Sequence, residues 1–271
     1  MSRAKIAYTI FQGRAGDHND LAIPGARAIG ALLAQRSGQT PAIIGSPAAP
    51  INGGWCEELA AALPDLQAMQ ARLEAVFQAG ARSVAATSRC AVSLATLPAL
   101  AKHHPDACVI WLDAHGDLNT PDASTSGFLG GLALSAPAGL WASGLGSGLR
   151  LTQLVLVGQR DLDPFEADLI AQHHIPLIPP GPGLAARLQQ AIAGRAVYLH
   201  LDCDVLEPGI VPTDYGVAGG LTLAELTACC REIAKNRVLG VEIAEFEHAW
   251  QPGGESVSPA PLLDALLPLG I

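Results

Sequence analysis

Three observations predict an α/β fold with a mainly parallel sheet covered by helices on both faces. Strand-sized apolar runs alternate with helix-length amphipathic segments along the chain, the pattern of βα units. The central runs, residues 107–112 and 196–201, are apolar almost without interruption, as strands buried on both faces are. Each leads directly into clustered acids: Trp111-Leu-Asp-Ala-His-Gly-Asp117 closes one run and Asp202-Cys-Asp204 follows the other. The carboxyl ends of parallel strands are where open α/β sheets bind ligands.

Taken in order, residues 5–11 read as a first strand and 12–19 as a loop. Residues 21–35 have helical apolar spacing. A short strand is expected at 40–45, then a Pro/Gly loop over 46–54. Residues 57–78 read as helix, with Pro64 expected to break or start it. A strand at 82–86 and a loop and helix over 88–102 lead to the first acid-tipped run. Residues 119–131 are polar and Gly-rich and can line the same mouth. A strand follows at 153–158. Asp163-Pro-Phe-Glu166 then opens a helix, with an acid at the N-cap, proline at N1 and glutamate at N3. A strand at 175–178 and a helix at 184–193 precede the second acid-tipped run. After turns at 207–220, Thr222-Leu-Ala-Glu225 is another capping box, opening a helix to about residue 235. A last strand at 238–244 ends in Glu245, and 258–267 closes the chain as helix. There is no linker, low-complexity tract or internal repeat, so residues 1–271 are expected to form a single domain.

Net charge is -9, which excludes the basic face a nucleic-acid binder needs. Charged residues are only 15% against 49% hydrophobic, so a large core is expected. No stretch has the length of a membrane-spanning helix and the N-terminus shows no signal architecture, so a cytoplasmic location is expected. Cys56, Cys90, Cys108, Cys203, Cys229 and Cys230 are scattered without a CxxC pair and read as reduced thiols.

Asp113, His115 and Asp117 are spaced two residues apart, which in extended chain sets them on one face. With Asp202 and Asp204 they would bring four carboxylates and one imidazole together. Such a cluster repels itself unless cations neutralise it. The carboxylate–imidazole mixture suits Mn, Zn or Ni better than Mg. Either motif alone is also an ordinary cap or turn; together, after two buried strands, they point to a metal site. His200 faces away from the side of Leu201 and reads as a packed core histidine. His103, His104, His173 and His174 fall at helix ends, where the dipole favours cations.

The order and content of these motifs resemble the arginase (ureohydrolase) family over residues 87–245. Asp113-Ala-His-Gly-Asp117 and Asp202-Cys-Asp204 resemble its two main metal motifs. The segment running on to Gly127 resembles the part that binds the substrate α-carboxylate, implying that role for Asn119, Ser124 and Ser126. Gly158-Gln-Arg-Asp-Leu-Asp-Pro-Phe-Glu166 resembles the loop that holds the α-amino group, implying Asp163 and Glu166. Glu245 matches the glutamate that faces the guanidinium. The resemblance implies a three-layer αβα sandwich, two Mn2+ ions and hydrolysis of a guanidino amino acid. Asp117 would be the proton acceptor. The first ion would be held by Cys90, Asp113, Asp117 and Asp202, the second by Asp113, His115, Asp202 and Asp204. Family relatives often form homo-oligomers, and no motif here decides that.

Two departures sharpen the expectation. The family has Gly-Gly-Asp-His before the central strand, but here Thr87-Ser-Arg-Cys90 stands there, so Cys90 falls at a ligand histidine. A thiolate matches Mn poorly, which predicts a weak first site; the alternative is an inert buried thiol. Gly130 lies in the stretch that carries a proton-shuttling histidine in arginases. The Cys90 and Gly130 pattern resembles the family branch that hydrolyses Nω-hydroxy-arginine, supplying hydroxyurea for D-cycloserine formation. That substrate is expected, with L-arginine as the alternative. A metal-poor homologue that binds an amino acid without turning it over, and a deacylase acting on acylated polyamines, are the rival readings.

Overall fold

The computed structural model describes residues 5–271. Its strands are β1 (Ile6–Phe11), β2 (Ala42–Ile44), β3 (Arg82–Ala86), β4 (Cys108–Leu112), β5 (Leu154–Val157), β6 (Leu177–Ile178), β7 (Val197–Asp202) and β8 (Val238–Ala244). All join one eight-stranded sheet in the order β2-β1-β3-β8-β7-β4-β5-β6. Every neighbouring pair is parallel. Because β4, β7 and β8 are central, their side chains are buried on both faces, and only near-continuous apolar runs satisfy that.

Helices cover both faces. The first core cluster packs α1 (Ala22–Ser37), α5 (Leu184–Ile192), α6 (Leu223–Ile233) and α7 (Ala260–Ala265) on one side. On the other side lie α2 (Trp55–Gln78), α3 (Ser93–His103) and α4 (Pro164–His173). This is the αβα sandwich that the sequence predicts. No helix of the described residues is long and apolar enough to cross a membrane.

Pro64 neither breaks nor starts α2, which runs unbroken from Trp55 to Gln78. Pro64 and Ala60 both lie on the exposed side, so the carbonyl that the proline leaves without a partner faces water. The buried stripe of Leu59, Ala62, Leu66, Met69 and Leu73 carries the helix past it. The last helix is shorter than the sequence suggests and gives way to a 3-10 turn, Leu267–Leu269, containing Pro268. Gly25 lets α1 touch the chain just after β8: a Cβ there would lie 1.7 Å from the Phe246 carbonyl oxygen. That close approach braces the segment carrying Glu245 and Glu247.

Candidate metal centre

The acids converge at the carboxyl ends of β3, β4, β7 and β8, but not by extended projection. β4 ends at Leu112, and Asp113 turns the chain by accepting the His115 N–H at 2.6 Å on Oδ1. Asp117 has φ +51, and Tyr215 and Glu245, also at the site, have φ +54 and +63. Backbone held in this region by non-glycine residues stores strain, and such strain collects at functional sites. Asp113, His115 and Asp117 therefore meet the other acids through a tight loop rather than along one strand face. On β7, Asp202 accepts the Asp204 N–H at 2.7 Å with Oδ1, capping the 3-10 turn Cys203–Val205. Its other oxygen, Oδ2, accepts from the Cys90 thiol at 3.0 Å. Asp-X-Asp is thus both a cap and part of the cluster.

Three sets of metal-competent atoms lie within 4.8 Å of one another: Cys90 with Asp113 and Asp117, Cys90 with Asp202 and Glu245, and Asp113 with His115 and Asp204. His115 Nδ1 lies 2.9 Å from Asp204 Oδ2 and 3.4 Å from Asp113 Oδ1. Burial pushes Asp117 and Asp202 well above the usual carboxylate range, and Asp113 beside the first and Asp204 beside the second push further. Burial, then Asp113, raises Asp204 to about 7. The Cys90 thiol is driven well up by burial and by Asp202. Burial opposes a charge on His115, yet its hydrogen bonds to Asp113 and Asp204 raise it to about 11. The cluster holds more negative charge than its own residues neutralise, which is the condition that divalent cations relieve.

A cavity of about 220 Å³ opens above this floor. Cys90, His115, Asp117, Asn119, Ser126, Asp163, Glu166, Asp202, Asp204 and Glu245 line it, so most of the residues singled out from sequence share one space. Asp113 is fully buried beneath it. Ser124 is outside the lining; its hydroxyl accepts the Gly127 N–H at 3.1 Å and shapes the loop. At the mouth Asn119 Nδ2 donates to Asp163 Oδ2 at 2.7 Å, while its buried Oδ1 has no partner. Glu166 accepts from Leu118 N and Asp163 N at 2.8 and 3.0 Å, tying the loop after β4 to the start of α4. Gly130 leaves room for an aromatic ring: a Cβ there would lie 2.6 Å from Phe128 Cε1. Phe128, His18 and Tyr215 make a rim of rings with centroids 4.7 to 6.0 Å apart.

Two groups lie behind the floor, one read from sequence as a packed core histidine and the other not singled out. His200 is buried in the core, stacked on Trp111 with centroids 3.6 Å apart, its partner in the β4–β7 register. It is more than packing, because Nε2 lies 3.0 Å from Cys90 Sγ and Nδ1 lies 3.1 Å from Ser93 Oγ. Ser93 and Thr96 then reach Glu242, which pairs with His200 across β7 and β8. The second group is Arg89, fully buried and paired with Glu245 at 2.7 Å. The signal for His200 was its two-residue spacing from Asp202; nothing local marks Arg89 beyond its place beside Cys90.

Acids packed so tightly on the carboxyl edge of a parallel sheet mark a metal-dependent hydrolase, the class in which cations hold the cluster and acidify a water. The chain belongs to the arginase family, whose model matches residues 20–260. It is 38% identical over 259 residues to the N(omega)-hydroxy-L-arginine amidinohydrolase of Streptomyces lavendulae, covering 96% of this chain and 95% of that one. Among solved structures, the Entamoeba histolytica arginase in complex with L-ornithine superposes with a TM-score of 0.85 at 20% identity, over 100% of this chain and 99% of that one. The proclavaminate amidino hydrolase of Streptomyces clavuligerus gives 0.75 at 19% identity, over 98% and 91%. At these identities the structural likeness shows a shared fold.

Proposed function

We propose that the chain hydrolyses Nω-hydroxy-L-arginine to L-ornithine and hydroxyurea at this site, with Mn2+ held by the acid cluster. The observation that carries the substrate is the 38% identity, nearly end to end, with a curated enzyme of that activity. Cys90 and Gly130, the two departures from arginases, support the same reading.

The donor set fits a pair of divalent cations. Carboxylates and an imidazole are suitable hard and borderline ligands, and Cys90 alone is soft. Cys90, Asp113, Asp117 and Asp202 would hold one ion; Asp113, His115, Asp202 and Asp204 would hold the other. When bound, such ions supply a water that loses its proton near neutral pH. Asp117 takes that proton. The water oxygen bonds to the guanidino carbon, the bond from that carbon to the δ-nitrogen breaks, and Asp117 returns the proton to the departing amine. Glu245, on the cavity wall, orients the guanidino end. Asn119 and Ser126 face the α-carboxylate, with Ser124 holding their loop. Asp163 faces the α-ammonium, and Glu166 steadies Asp163 through its backbone N–H.

The test compares turnover of Nω-hydroxy-L-arginine and L-arginine at matched Mn2+ loading, with ornithine measured for both. Faster release from the hydroxylated substrate supports the reading. Faster turnover of plain L-arginine rejects the hydroxy-specific version. Amino-acid binding without turnover, in protein that neither holds nor regains Mn2+, marks a non-catalytic binder.

A further inference from the structure

One buried cation has no part in the hydrolysis described above. The side chain of Arg89 has no exposed surface. Its Nη1 lies 2.7 Å from Glu245 Oε2 and 3.7 Å from Asp214; Nε lies 3.2 Å from Asp17; Nη2 lies 3.3 Å from Asn19 Oδ1 and 3.7 Å from Glu247. Of these partners Glu245 and Asp214 line the cavity. The second oxygen of Glu245 accepts the Cys90 N–H at 2.7 Å. Both oxygens of the carboxylate at the guanidino end are therefore committed to the protein itself.

That commitment changes what the cavity rewards. A free carboxylate gains most from a ligand that brings a full positive charge and two N–H donors. Here the Arg89 guanidinium supplies the charge and one N–H, and the Cys90 backbone supplies the other N–H, both fixed in place and with no ordering left to lose. A second guanidinium arriving beside it meets a like charge and finds both oxygens of Glu245 already paired, so its full charge gains little there. A group of the same shape without the charge meets no such opposition and can still donate to the outer lone pairs of Glu245. An N-hydroxylated guanidine is less basic than a plain one, so it can enter uncharged.

We propose that Arg89 is a positioning residue that holds Glu245 in an internal ion pair and makes the cavity select weakly basic or neutral guanidino-shaped groups over cationic guanidinium. The inference rests on the reading that Glu245 faces the guanidino end of an amino acid. It requires no change in the protonation of any protein group, because the charge on Arg89 is permanent.

The test uses an isosteric pair, L-citrulline with a neutral ureido end and L-arginine with a cationic one. Each is titrated calorimetrically into full-length, Mn2+-treated protein. The wild type is expected to bind L-citrulline at least as tightly as L-arginine. Arginine bound more than about tenfold tighter, ~1.4 kcal/mol, would overturn the proposal before any variant is made. Arg89→Met with Asp17→Asn removes the cation and one buried acid together, so that acid is not left unpaired. It is expected to shift the affinity ratio about tenfold or more towards L-arginine. Arg89→Lys keeps the charge and should move the ratio less than the double variant does. A folded double variant with an unmoved ratio, or Arg89→Lys shifting it equally, refutes the role. If the wild type turns over neither guanidino substrate, the hydrolase reading fails by itself while the binding ratio still judges Arg89.

Discussion

The two halves of the acid cluster solve the same electrostatic problem with different counter-charges. Around Asp113 and Asp204 the counter-charge is His115, whose hydrogen bonds to both acids overcome burial and raise it to about 11. Around Cys90, Asp202 and Glu245 the compensating charge is the guanidinium of Arg89, 2.7 Å from Glu245. A proton can be exchanged for a metal ion, whereas an arginine cannot be displaced. The His115 half is therefore built to trade its counter-charge, and the Cys90 half carries a fixed one beside a soft thiol. The two halves should differ in cation affinity, the His115 half being the tighter.

Removing a ligand from the tighter half tests this most severely. Asp204→Asn should weaken Mn2+ binding by more than the ~10–100-fold that loss of an outer partner costs, and hydrolysis should fall with it. Metal content by mass spectrometry, read beside turnover, checks this; full occupancy in the variant would remove Asp204 from the ligand set. The next largest effect is in the weaker half. Cys90→His replaces the soft donor with the borderline one and should raise Mn2+ retention there about tenfold, since imidazole matches this ion better than thiolate. Unchanged metal content would take Cys90 out of coordination and leave it as a thiol pressed between His200 and Asp202.

The comparison also predicts a pH signature. Asp204 titrates near 3.8 when unfolded and at about 7 in the folded protein, chiefly through burial. The metal-free fold therefore keeps a proton that the unfolded chain releases. Its contribution is complete below the unfolded value and is lost as pH rises through about 7. Asp117 and Asp202 shift in the same direction, and His115 extends the loss towards about 11. In chelator, the melting temperature should fall between about pH 5 and about pH 8, by ~2–4 °C for each kcal/mol lost in a chain of this size. Added Mn2+ should flatten or reverse that slope, because ions displace the same protons. A chelated protein whose melting temperature is level across the range would mean the acids are neutralised some other way.

What the sequence made legible follows from how far apart the interacting residues are. β4 and β7 could be read because two-sided burial leaves an unbroken apolar run, and their acids lie within a few residues of the strand ends. The αβα architecture followed from the alternation of such runs with helices. The convergence of Asp113 and Asp202 was expected because each acid motif directly follows a buried apolar strand. The strained turn at Asp117 was not, since Ala-His-Gly-Asp carries no mark of which residue takes positive φ. Long-range pairs were invisible: Arg89 and Glu245 are 156 residues apart, and Cys90 and His200 are 110 apart. α2 shows the reverse error, where a local rule about Pro64 yielded to a buried stripe on the opposite side of the helix.

The loop after β4 holds the smallest and finest comparison. Asn119, Ser124 and Ser126 resemble one another from sequence as partners for a carboxylate, yet only Asn119 and Ser126 line the cavity. Both serine hydroxyls accept a backbone N–H, Ser124 from Gly127 at 3.1 Å and Ser126 from Phe128 at 3.2 Å, so their structural contributions are closely matched. Replacing either by alanine removes one hydrogen bond of the same kind, worth about 1 kcal/mol. Any difference in catalysis then reports contact with substrate rather than loop geometry. Ser126→Ala should raise KM for the amino-acid substrate about threefold to tenfold with kcat little changed, the pattern of an interaction made equally in ground and transition states. Ser124→Ala should change KM by less than about twofold, within the range of a loop bond lost away from the cavity. Equal effects from the two would assign the whole contribution to the loop and leave Asn119 to recognise the carboxylate alone.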